Sequence, residues 1–267
     1  MARDFSKNTS NYLALSGTRW GALVNGASAI SVACWANVDT IGTGSDESRL
    51  MSAVMASSLT AMALLIDGSG ATKYLRVVGR SRAADSYQAR NATSSFTTGT
   101  WHHCGGMLNI SGDTITPYFN GAAENSGAVT FGATTYTDTY TNGKDFIASH
   151  TNSSGQPVDT AQQLDGRVAE LAIWNVDIGA AGFASLAKGA NPLQIKSESL
   201  VSYFPLHGGY STEHDWVSGR TGTISGTVAK AAHPRIIYPR SNRRIYIPAA
   251  APAGNRRRRV LLCGRAS

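Results

Sequence analysis

Residues 97–121 read TTGTWHHCGGMLNISGDTITPYFNG, and their interpretation decides the fold. Two histidines beside a cysteine suggest a metal or catalytic cluster. The spacing argues otherwise. Side chains alternate across a β-strand, so His102 and Cys104 share one face while His103 turns to the other with Trp101. Consecutive strand residues therefore cannot converge on one ion, and no C-x-x-C or H-x-x-x-H spacing supplies the missing ligands. A Cys–His nucleophile pair fails for the same reason, because neighbouring groups on a strand cannot aim at a common reacting atom. A hairpin uses the whole stretch instead. Residues 101–109 run up, Ser111-Gly112-Asp113 turn, residues 114–120 run back, and Asn120-Gly121 begin the next reversal with residues that tolerate positive φ.

The same logic extends outward. Ile30, Val32, Cys34, Ala36 and Val38 alternate with Ser31, Ala33, Trp35 and Asn37, the period-2 pattern of a strand with one face in a core. Cys34 is then a small buried hydrophobe. Further strands are expected at residues 12–15, 49–56, 61–67, 74–80, 145–149, 167–174 and 200–206, separated by Asp67-Gly68, Asn142-Gly143 and Gly208-Gly209. One short helix is expected over residues 177–189, opening at Asp177 and closing at Lys188-Gly189. Many short strands need two packed sheets, since a single sheet of this size leaves an apolar face in water. No repeat of solenoid or propeller length is present.

Composition agrees. The 267 residues are 42% hydrophobic and 15% charged, enough to build a core, and 28 glycines suit a turn-rich all-β chain. The net charge of +7 is concentrated: nine arginines and no acid lie in residues 233–267, leaving 15 basic against 17 acidic groups elsewhere. The body is nearly neutral, and the terminus seeks an acidic partner. Three widely spaced cysteines, Cys34, Cys104 and Cys263, do not form a disulfide framework, so reduced thiols are expected. Residues 1–13 hold no apolar run of signal-peptide length, so export by that route is not expected. Residues 50–66 are apolar but diluted by Ser and Thr and shorter than the roughly 20 residues that span a bilayer. They read as two strands, and no membrane is expected as a partner.

With these elements placed, Trp101-His102-His103 followed by Tyr118-Phe119-Asn120-Gly121 resembles the W-h-h … l-Y-v-D/N-G hairpin of the laminin-G-like, or concanavalin A-like, jelly-roll family. Residues 164–175 (LDGRVAELAIWN) are similar to the family's f-x-G-x-i-D/E-e-v-r-i-y/w-n segment. Residues 200–206 with DWVSGRTGT at 215–223 resemble its closing strand and D-x-S-G-x-x-G-T loop. The resemblance implies an all-β, two-sheet antiparallel jelly-roll sandwich over residues 1–228, followed by an extended basic C-terminal arm over residues 229–267. Two departures stand out. Pro117 inside a paired strand implies an edge or bulge, and Cys104-Gly105-Gly106 is less β-branched than the family pattern.

The resemblance also directs the search for sites. Glycosidases on this scaffold carry paired carboxylates on one strand. Glu213-His214-Asp215 begins that pattern, but Val217 and Ser218 stand where the third acid belongs, so no catalytic residue is assigned and a hydrolase is a lesser alternative. Family members bind sugars or calcium through rim loops. Tyr136, Asp138, Tyr140 and Asn142 offer rings and hydrogen-bonding groups suited to a pyranose, set against a plain Thr/Tyr-rich loop. Asp138, Asp145 and Asp165 supply oxygens should calcium bind; no other cofactor and no metal site is expected.

In the arm, Arg235, Tyr238, Arg240, Arg243, Arg244, Tyr246 and Arg256, Arg257, Arg258 and Arg259 alternate charge with apolar-aromatic patches, and its prolines favour extended backbone. Such a segment suits a groove on an acidic neighbour. No base-reading motif accompanies the arginines, so nucleic acid would be bound only nonspecifically. A neutral jelly roll with free cysteines and an arginine-proline arm resembles a bacteriophage virion protein, a head decoration, fibre or tail-attached module. That resemblance implies a non-enzymatic protein assembled in the host cytoplasm, a homo-oligomer held to other virion subunits by its arm and displaying the sandwich toward host glycans. The alternatives are a free carbohydrate-binding module, a hydrolase and a nonspecific nucleic-acid binder.

Overall fold

The computed structural model describes residues 2–7, 10–42, 47–55, 59–138, 144–150, 162–208 and 211–237. Strand alternation resolves into two antiparallel sheets. The first runs β10 (Ala122–Ala123), β9 (Thr114–Phe119), β8 (His102–Asn109), β3 (Ala29–Thr40), β13 (Asp165–Trp174), β1 (Ala2–Phe5) and β17 (Ala229–Ala231), with β11 (Gly127–Ala128) on β9 and β14 (Leu200–Phe204) on β13. The second runs β15 (Thr212–His214), β16 (Thr221–Ser225), β2 (Tyr12–Ser16), β12 (Asp145–Ile147), β4 (Glu47–Val54), β5 (Thr60–Asp67), β6 (Tyr74–Gly79) and β7 (Gln88–Ser95). Strands that neighbour in space are often distant in sequence, as a jelly roll requires.

The 97–121 stretch forms the expected hairpin, with Leu108 opposite Ile115 and Cys104 opposite Phe119. Asp113, Asn120 and Gly121 all take positive φ, which accounts for turn residues at those places. His102, His103 and Cys104 diverge. His102 hydrogen-bonds the Thr97 hydroxyl at 2.8 Å and stacks on Phe119, His103 meets the Trp35 ring edge-on at 5.4 Å, and Cys104 faces Cys34 across the β3–β8 pair. Pro117 sits opposite the gap between β10 and β11, where no outer neighbour asks for its missing N–H.

The inward residues of both sheets make one core, including Val32, Cys34, Leu64, Val77, Phe119, Leu171 and Phe204. A second cluster covers the outer face of the first sheet. Met107, Tyr118, Trp174 and Tyr203 lie beneath helix α2 (Gly179–Ala187), whose Phe183 stacks on Tyr118 at 3.8 Å. Burying Phe183 completely contributes about 1.5–3 kcal/mol. The paired glycines of β8 now have a reason. A Cβ at Gly105 would meet Phe183 of α2 at 2.7 Å, and one at Gly106 would meet Val77 of the opposite sheet at 2.6 Å. Both faces of β8 are approached too closely for a side chain.

The C-terminal boundary falls later than residue 228. β17 pairs with β1, placing Ala2 opposite Ala231, because β1 would otherwise leave an open edge. The compact sandwich unit extends to Ile237. Residues 229–237 are thus part of the body and not the start of an arm. Residues 238–267 lie outside the described residues, and with them Tyr238, Arg240, Arg243, Arg244, Tyr246 and Arg256–Arg259 of the expected arm. No helix among the described residues is long and apolar enough to cross a membrane. The apolar residues 50–66 contribute to β4 and β5.

Candidate functional site

Alternation along β3 sends Cys34 into the core and Trp35 outward, and Trp101 precedes β8 on the neighbouring strand. Both indoles are partly exposed. The chain after β17 returns over this face: Ile237 N–H donates to the Gly189 carbonyl at 2.6 Å, and Ala190 bridges to Ile237. Gly189, just past α2, has φ +91°, and a Cβ there would lie 2.6 Å from the Arg235 carbonyl oxygen. Glycine is required both to end the helix and to admit that strand. The result is a cleft of about 650 Å³ lined by Trp35, Trp101, Lys188, His233, Arg235 and Ile237 among others. Among the described residues its lining holds two aromatic platforms and two obligate cations without an acid.

Behind His233 lies a second constellation. The register of β13 against β3 slips between Ala169 and Ala172, and Glu170 within the slip takes φ +55°. The bulge re-aims Glu170. Its carboxylate accepts from the Tyr203 hydroxyl at 2.5 Å and stands 2.9 Å from His233 Nε2. The Asn191 side-chain amide in turn donates to Tyr203 Oη at 2.9 Å. One donor atom from each of Glu170, His207 and His233 lies within 4.8 Å of the others, the one such grouping among the described residues able to hold a metal. Burial lowers the pKa of His207, with Glu170 opposing. The exposed Trp216 packs edge-on against Tyr203 at 5.7 Å and beside His207 at 5.3 Å.

The residues selected from sequence fall elsewhere. Tyr136 is 1% exposed and belongs to the core, where burial pushes its phenol pKa up. Asp138 is sealed against Arg19 at 2.8 Å with its side chain fully buried. The backbone explains why: Tyr136 exchanges hydrogen bonds with Ala27 and Gly26, and Thr137 donates to Ser81. This loop braces helix α1 (Trp20–Leu23), so its ring cannot stack on a sugar. Tyr140 and Asn142 lie outside the described residues.

The three aspartates offered for calcium are also separately engaged. Asp145 pairs with Arg220 at 2.6 Å, Asp138 with Arg19, and Asp165 accepts from Lys7 N–H and the Thr40 hydroxyl. Glu213 pairs with Arg3 at 2.6 Å and accepts from Gly208 N–H, while Asp215 accepts from the N–H groups of Tyr203, Val217 and Ser218. Both acids of that sequence pattern hold backbone in place. Arg235 is exposed and lines the cleft.

Residues 7–181 match the family model described as the concanavalin A-like lectin/glucanases superfamily. No curated protein sequence matches the chain. Among solved structures, it is similar to a candidate carbohydrate binding protein from Bacteroides ovatus, at 19% identity and a TM-score of 0.61 over 88% of this chain. The chain spans 61% of that protein's length. It is also similar to a native heptameric SAP-like pentraxin from Limulus polyphemus, at 13% identity and a TM-score of 0.55, covering 70% of this chain and 81% of the other.

Proposed function

The chain belongs to the concanavalin A-like lectin/glucanases superfamily, and from that premise we propose that it is a non-enzymatic saccharide-binding sandwich whose ligand lies on Trp35 and Trp101. The observation that carries this reading is the cleft itself. Indole faces stack on the C–H face of a pyranose, and polar groups at the rim fix its orientation. Lys188 and Arg235, with no acid among the described lining residues, favour a sugar bearing carboxylate or sulfate. Engagement of Glu213 and Asp215 in structural bonds supports binding without hydrolysis.

The test is a glycan array of neutral, uronic-acid, sialylated and sulfated saccharides probed with the full chain. Acidic glycans are expected to bind, and Trp101→Ala is expected to remove the signal while Tyr136→Phe retains it. Equal loss in both variants, or retention in both, would refute the assignment to this cleft.

A second reading concerns residues 238–267, whose composition breaks sharply from the body. These residues anchor the sandwich to neighbouring subunits of a bacteriophage virion, where it is displayed outward as an oligomer. Truncation after Ile237 preserves every described contact and is expected to leave a folded body that no longer joins its assembly. Normal incorporation of the truncated protein would overturn this role.

A further inference from the structure

We propose that Glu170, His207 and His233 bind one divalent transition-metal ion, with Zn²⁺ as the ion this donor set suits best. The inference goes beyond saccharide binding and stands without it. Zinc bonds of about 2.0–2.2 Å place two ligands of one ion no more than roughly 4.4 Å apart. Donor atoms already within 4.8 Å of one another need only small side-chain rotations to close on an ion. Two imidazoles with one carboxylate suit zinc and its first-row neighbours, whereas calcium and magnesium seek oxygen ligands.

The single hydrogen bond at Nδ1 sets the tautomer of His233. Nδ1 lies 2.7 Å from the Pro234 carbonyl oxygen, which can only accept, so Nδ1 carries the proton. In the neutral ring Nε2 then holds a lone pair. That nitrogen is buried, makes no hydrogen bond, and stands 2.9 Å from a Glu170 carboxylate oxygen. Two acceptors so close repel each other unless a proton or a metal cation stands between them, and the presence of a second imidazole, His207, in the same grouping favours the metal. Backbone bonding at Nδ1, which leaves Nε2 as the nitrogen with the lone pair, is the arrangement that prepares an imidazole for a metal.

The support behind Glu170 is equally built. Tyr203 donates to its second oxygen, and the fully buried Asn191 holds Tyr203 through its side-chain amide. Asn191 is itself locked by a capping box with Gln194 at the 3-10 turn Pro192–Gln194. Glu170 also occupies left-handed backbone that non-glycine residues seldom adopt, held there by the β13 bulge. Three protein ligands would leave one tetrahedral position open, and His233 is also part of the cleft lining. An ion there would fasten the segment after β17 to the sheet.

Titration calorimetry of chelator-treated full chain with ZnCl₂, with CaCl₂ in parallel, tests the site. One Zn²⁺ per chain and no calcium heat are expected. His207→Ala and His233→Ala should each weaken zinc at least 100-fold, Tyr203→Phe should weaken it about tenfold by releasing Glu170, and His214→Ala should leave it unchanged. Circular dichroism and metal-free melting identify any variant that fails to fold, and tetrahedral Co²⁺ absorption in the unaltered protein gives a readout independent of variants. Absence of stoichiometric zinc binding, which would leave an imidazolium–carboxylate pair, overturns the proposal. Wild-type affinity in both histidine variants, or a calcium response alone, does so too.

Discussion

Arg220→Met would strand a carboxylate in the interior. The Arg220 guanidinium lies 2.6 Å from Asp145 Oδ2, with side chains 2% and 1% exposed. Asp145 also accepts from the Trp20 N–H at 2.7 Å, and Arg220 lies over the Trp20 ring at 5.4 Å. Three distant segments, around residues 20, 145 and 220, are joined by these contacts. Removing one partner of a buried pair costs about 3–5 kcal/mol because the other charge is left uncompensated. At about 2–4 °C per kcal/mol for a body of this size, the melting midpoint should fall by roughly 6–20 °C. Arg220→Met/Asp145→Leu should recover part of that loss, since it removes both charges.

The pH dependence of the single variant has a definite sign. Burial raises the pKa of Asp145 and Arg220 opposes the rise. Without Arg220 the folded state holds a proton on Asp145 more readily than the unfolded chain does, so folded stability increases as pH falls through that raised value. The deficit of Arg220→Met against wild type should therefore narrow in acid. Thermal and urea denaturation followed by tryptophan fluorescence measure all of this. A loss below about 0.5 kcal/mol, or strict additivity in the double variant, would refute the reasoning.

Burial lowers both His103 and His150 to about 3, from an unfolded value near 6.5. The unfolded state thus binds more protons between those values, so their contribution is complete above about pH 6.5 and lost as pH falls toward 3; urea midpoints of His103→Leu should decline less steeply than wild type over that window, and parallel curves would contradict it. Gly106→Ala pushes a Cβ to 2.6 Å from Val77 and should cost about 1–3 kcal/mol by overpacking, read as a lower urea midpoint at unchanged slope. Cys34 and Cys104 are buried and burial raises both thiol pKa values, so a thiol reagent should leave both unmodified in native protein and label them in denaturant.

Strand existence was legible where one face alternates. Residues 30–38 and the hairpin at 101–119 fall within β3, β8 and β9 to within a residue or so at most ends. β1, β10, β11, β15 and β17 left no such trace, being two to four residues long and defined by the partner they pair with, and neither did β7 (Gln88–Ser95) or β16 (Thr221–Ser225), whose largely polar or small side chains show no apolar alternation. Chemistry was harder to read than fold. Tyr136 and Asp138 look exposed in a Thr/Tyr-rich loop, yet only tertiary hydrogen bonds to residues 19–27 and 81 determine that they are buried. The two cleft indoles had a signal: Trp35 and Trp101 both fall on the outward phase of neighbouring strands. Glu170, His207 and His233 had none, because a bulge, a loop and the segment after β17 bring them together across 63 residues of chain.

The five indole N–H groups of the protein give the most direct test of the saccharide site. In an ¹⁵N-tryptophan-labelled sample titrated with an acidic oligosaccharide that binds on the array, the Trp35 and Trp101 resonances should shift in a saturable way. Those of the buried Trp20 and Trp174 should stay in place. Saturable binding that leaves both Trp35 and Trp101 unmoved would contradict the account.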